Sequence, residues 1–120
     1  MFLKLNHQKL DIYVVSKSLV LACYHLCNKF PADEKFGMTA QIKRAALSVL
    51  LNIAEGASRK SGIERKRFYE IARGSLIEID AALDIAVSLS YVSQTDMEET
   101  GNAMLRVFQM LSKLITAVKN

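Results

Sequence analysis

The chain has a single proline, Pro31, and only five glycines in 120 residues. Long helices are therefore permitted, and the turn-rich punctuation of an all-β sandwich or barrel is missing. No run approaches the roughly 18 apolar residues of a membrane span. The opening stretch MFLKLNHQKLDIY has neither the apolar region nor the cleavage site of a signal peptide, so cytoplasmic residence is the expectation. Catalytic signatures are lacking as well. There is no G-x-S-x-G, no Gly-rich phosphate loop and no Glu-x-x-His pair. His7 and His25, the two histidines, have no acidic orienter at a useful spacing. The expectation is a protein without enzymatic activity, cofactor or metal.

Cysteine is also scarce. Cys23 and Cys27 stand four apart on one helix, where a bridge is geometrically poor and a reducing compartment argues against it. A zinc site needs more soft ligands, and His25 projects from nearly the opposite side. Both read as buried thiols.

About half of the residues are apolar, enough for one core in a single domain spanning residues 1–120. Helix one is expected over about 10–30. At 100° per residue, Ile12, Val15, Leu19, Ala22, Cys23, Leu26, Cys27 and Phe30 share a face, and Pro31 ends the run. Thr39 is the expected N-cap of a second helix over 39–56, and Gly56 its left-handed cap. Ser61 with Glu64 marks the start of a third helix over 62–90. Its core seam is Phe68, Ala72, Leu76, Ile79, Leu83 and Ala86. Ser93 with Asp96 repeats that signature for a fourth helix over 94–119, a plain amphipath with Met104, Val107, Phe108, Leu111 and Ile115 inside. Four such helices with short connections predict an all-α, antiparallel up-down-up-down four-helix bundle.

Helix two departs from the surface pattern. Gln41, Arg44, Ser48, Asn52 and Glu55 form one polar strip, and the remainder is apolar except for Lys43. An ordinary surface helix has an apolar stripe a little over 100° wide. This wider one needs cover on two sides, either as the central helix of a monomer or as a subunit interface. Glu78 falls among apolar edge positions of helix three, as a margin residue or a partly buried carboxylate. Arg73 points away from the core seam near Asp80, and an ion pair within or between subunits is its expected role. The polar strip, with Arg73 and Glu78, reads as a seam that orients helix three or a neighbouring subunit.

Charge is uneven. Residues 36–74 carry eight basic against three acidic side chains, whereas residues 75–120 carry three basic against six acidic. Arg59, Lys60, Arg65, Lys66 and Arg67 cluster where helix three begins, and helix N-termini favour phosphate. With Lys43, these are the candidate nucleic-acid-binding residues. Phe68 belongs to packing, and Tyr69 is the aromatic residue placed to stack on a base. In a monomer such a patch would bind weakly and without sequence preference; in an oligomer the patches add.

Two stretches, FPADEKFGMTAQIKRAALSVLLNIAEGASR and RFYEIARGSLIEIDAALDIA, resemble the four-helix-bundle family named for proteins encoded in intervening sequences of bacterial large-subunit ribosomal RNA genes. Asn52, Glu55 and Gly56 fall in the N-I-A-E-G motif, and Arg73, Gly74 and Ser75 in A-R-G-S-L. More distantly, the chain is similar to the accessory variability determinant proteins of diversity-generating retroelements. The resemblance implies a homopentameric ring whose basic surface binds RNA or DNA, without enzymatic activity. The alternative partner is a protein, with the ring acting as an adaptor on a polymerase-like enzyme.

Overall fold

A computed structural model describes residues 2–118, with the Lys9 side chain excepted. Four α-helices account for most of it: α1 Asp11–Cys27, α2 Met38–Ser58, α3 Gly62–Ser88 and α4 Glu98–Ala117. Short 3-10 turns at Asn6–Lys9 and Ala32–Glu34 complete the regular structure, and there is no strand among the described residues. No helix among the described residues is long and apolar enough to cross a membrane.

Each helix end has a local cause. α1 stops at Cys27, and three successive tightened turns carry the chain through Phe30 to an extended Pro31 (φ −63°, ψ 150°). α2 is not capped by Thr39, which lies inside it; Gly37 holds the cap position. The free Met38 N–H donates instead to Glu34 Oε1 at 3.1 Å. A Cβ on Gly37 would come within 2.7 Å of that oxygen, so a larger residue there would shift the carboxylate. Nor does Gly56 end α2: the helix continues to Ser58, and no described glycine has a positive φ. Ser61 caps α3 as expected, accepting the Glu64 N–H at 3.1 Å. The left-handed position is found at the far end of α3, at Ser90 (φ 63°). There Tyr91 N–H reaches back to Ala86 O at 2.9 Å, the six-to-one bond of a Schellman motif. Ser93 and Asp96 exchange hydrogen bonds at 2.9 and 3.0 Å, but they close a turn ahead of α4, which starts at Glu98 rather than 94. The expected end at 119 lies outside the described residues.

α1 packs against α2 and α4, and α3 against the same two. Contacts between α2 and α3 descend along one helix as they climb the other: Gln41 meets Glu78, Ser48 meets Ser75, and Gly56 meets Tyr69. That is the register of two helices running in opposite directions. The enclosed core is aliphatic, with Leu19, Ile42, Val49, Ile53, Leu76, Ile79, Val107 and Leu111 fully buried. Each such side chain contributes about 1.5–3 kcal/mol through its removal from water. All eight residues of the expected α1 seam are buried. One end of the molecule is tied by three contacts. Phe30 and Tyr91 pack with ring centroids 5.6 Å apart, the Tyr91 hydroxyl donates to Glu34 Oε2 at 2.8 Å, and Lys29 pairs with Asp96 at 3.5 Å.

Candidate nucleic-acid interface

The basic residues expected at the α2–α3 connection divide into two groups. Arg59 is spent locally: it pairs with Glu55 at 3.0 Å and lies over the Phe68 ring, 4.9 Å from its centroid. Arg65 faces back across the connection, its Nη1 donating to Arg59 O at 3.2 Å and Lys60 O at 2.8 Å. These two arginines hold the loop in shape. Lys60, Lys66 and Arg67 are exposed and form no ion pair among the described residues. Three free cations therefore stand beside the first turn of α3, whose leading N–H groups add partial positive charge. Lys43 is elsewhere. It sits sixteen residues before Arg59 on α2, roughly 24 Å along the axis, with its ammonium 4.9 Å from the centre of the Tyr24 ring.

The two aromatic residues do not take the roles expected of them. Tyr69 is 5% exposed and belongs to the core, whereas Phe68 is half-buried under Arg59. The cause is Gly56. A Cβ there would approach Tyr69 Cε1 to 2.9 Å and Phe68 Cβ to 3.0 Å, so the missing side chain makes the space that the Tyr69 ring fills. Burial pushes the Tyr69 hydroxyl's pKa above its ordinary range, against a smaller opposing pull from Arg65. Tyr69 therefore offers no ring face to a base. The signal lay in the glycine, which sits in register with Tyr69 across an antiparallel pair.

The polar strip of α2 touches α3 at two points, Gln41 and Ser48. The Ser48 and Ser75 hydroxyls are 2.8 Å apart, and Asn52 Nδ2 donates to Ser48 O at 2.8 Å and to Ser48 Oγ at 3.1 Å. Gln41 Nε2 donates to Glu78 Oε2 at 3.0 Å while its own oxygen accepts from Arg44 at 3.1 Å. Glu78 is thus an exposed margin residue with a partner. Glu55 leaves the strip to bind Arg59. Arg73 is half-buried and makes no ion pair, with Asp80 or otherwise, among the described residues; seven residues of helix separate the two, too far for their side chains to meet on one face. Outside the strip, Leu47 and Leu51 remain exposed, Leu51 by 60%.

Cys23 and Cys27 are free and buried. Burial, reinforced by the neighbouring Cys27, pushes the Cys23 thiol up to about 12, and burial raises that of Cys27. No group of three or more His, Cys, Asp or Glu side chains among the described residues is arranged to hold a metal ion.

Residues 8–113 match the family described as 23S rRNA-intervening sequence protein. No curated protein matches the chain. A solved structure from Bacteroides thetaiotaomicron VPI-5482, described as a protein with unknown function from the S23 ribosomal protein family, shares the fold. Its TM-score is 0.81 at 20% identity, over 88% of this chain and 99% of that one.

Proposed function

Because the chain belongs to the 23S rRNA-intervening sequence protein family, we propose that it is a non-enzymatic, homo-oligomeric protein that binds RNA or DNA by its phosphate backbone. The observation that carries this reading is the trio Lys60, Lys66 and Arg67, exposed without acidic partners at the start of α3. Arg65 and Arg59 act behind them, fixing the loop rather than touching the ligand. No exposed aromatic ring accompanies the trio, since Tyr69 is buried and Phe68 is covered by Arg59. The contact is therefore electrostatic and indifferent to base identity.

Three cations on one small protomer bind weakly. Self-association supplies the missing strength by repeating the patch. The exposed Leu47 and Leu51 on α2 support an interface there, and the family resemblance implies a ring of five up-down-up-down bundles in the cytoplasm.

A gel-shift titration with single- and double-stranded RNA and DNA over a range of salt tests the reading. Binding is expected at low salt, with a slope set by the number of phosphates engaged. The triple change Lys60→Ala, Lys66→Ala, Arg67→Ala is expected to weaken binding and flatten the slope by about two to three ions per protomer engaged. Absence of binding at low salt, or an unaltered slope in the triple variant, overturns it.

A further inference from the structure

Between α3 and α4 lies an open groove of about 1080 Å³. Small-molecule pockets occupy roughly 300–1,000 Å³ and are largely enclosed, so this one has the form of a seat for a length of chain. Its apolar surface includes Ile77, Leu105 and Phe108, all exposed, Leu105 by 62%. Its charged lining among the described residues is of one sign: Asp80, Asp84 and Glu98, with no lysine or arginine. An apolar surface with an acidic rim fits a segment that is apolar and basic.

The chain carries such a segment. Residues 2–10, FLKLNHQKL, contain lysine and no acidic residue. Phe2, Leu3 and Leu5 stand exposed to solvent although nothing polar requires them there. The stretch is held by its own turn, with Gln8 Nε2 donating to Leu3 O at 2.8 Å, and that turn packs on α1 and α2 rather than on α3 or α4. Within one copy the segment is therefore kept away from the groove. In an extended stretch alternate side chains point to opposite sides. Leu3 and Leu5 then share one side while Lys4 projects from the other.

We propose that the α3–α4 groove receives the Phe2–Leu5 segment of a second copy, with Leu3 and Leu5 on Leu105 and Phe108 and Lys4 turned to the rim carboxylates of Asp80 and Asp84. This rests on the self-association proposed above and names one of its contacts. The segment and the groove are different surfaces, so the contact joins unlike faces, the type that closes rings when the rotation permits.

Disulfide trapping between full-length variants tests it. Cys23 and Cys27 are buried and do not compete. Leu3→Cys and Leu105→Cys are purified separately, mixed and mildly oxidised, with Ser18→Cys on exposed α1 surface replacing Leu105→Cys as control. A mixed disulfide is expected for the first pair well above the control. Adding Lys4→Glu to the first variant is expected to slow trapping by about two- to fivefold, the range of one ion pair near a surface. Adding Asp84→Lys to its partner restores the rate. If the wild-type protein associates but trapping does not exceed the control, the groove contact is wrong and self-association stands. If the wild-type protein is monomeric and no trapping occurs, both fail.

Discussion

Glu34 does more than its place in a short connection implies. It accepts the Met38 N–H at the start of α2 and the Tyr91 hydroxyl just after α3, at 3.1 and 2.8 Å. The backbone N–H first, and the Tyr91 hydroxyl second, hold its carboxyl below the ordinary value of 4.5. Asp96 is lowered in the same way, chiefly by the Ser93 N–H. A carboxyl whose folded pKa is depressed stabilises the fold fully above its unfolded value and progressively less as pH falls through the folded one. The urea midpoint is therefore expected to be level between about pH 5 and about pH 8 and to fall below that window through the carboxylate range. Glu34→Gln should make that acid loss shallower, because the amide no longer titrates. An acid limb of unchanged steepness in the variant would count against this role. The linkage was hidden in the sequence, since Glu34 and Tyr91 are 57 residues apart.

Two helical glycines show how one residue type can have opposite consequences within similar elements. Gly56 lies inside α2, where an added Cβ would meet Tyr69 and Phe68 at 2.9–3.1 Å. Gly74 lies on exposed α3 surface with nothing within 4 Å of the same position. Gly74→Ala is expected to raise stability by about 0.5–1 kcal/mol through helix propensity alone. For Gly56→Ala, overpacking of about 1–3 kcal/mol outweighs that gain, and a net loss is expected. Urea unfolding of both variants checks the sign. The periodicity of α1 and the Ser61–Glu64 cap were legible because both are local. The stop expected at Gly56 was not: the pattern marked a glycine after an apolar run, and only the α3 side of the contact reveals that it serves close approach.

At the scale of the whole molecule, α2 is one of the elements left with uncovered apolar residues. The other helices cover Ile42, Val49 and Ile53 completely, yet Leu47 and Leu51 on the same helix face solvent. The molecule is 45 × 31 × 23 Å, and its third dimension is that of two helix layers. No third layer exists among the described residues to cover the outer side of α2. Changing both Leu47 and Leu51 to Arg is expected to leave the protomer's stability within about 0.5 kcal/mol per site. The same change should shift the solution mass toward the monomer. Light scattering at micromolar concentration, beside urea unfolding, separates the two effects. A monomeric wild-type protein would refute the interface and leave the exposed leucines without a role.

The sequence by itself determined the all-helical class, the core face of α1, the cap of α3 and the excess apolar width of α2. Each is written in spacings of three or four residues, which a helix converts into a face without help from the rest of the chain. Tertiary structure decided which basic residues remain free. Arg59 and Arg65 are drawn into the α2–α3 connection, Lys43 is carried roughly 24 Å away along α2, and Lys60, Lys66 and Arg67 remain. Tertiary structure also decided that Tyr69 rather than Phe68 enters the core, and that an acidic groove forms between α3 and α4. These outcomes depend on what lies across an interface from each residue, and that neighbour is distant in the chain.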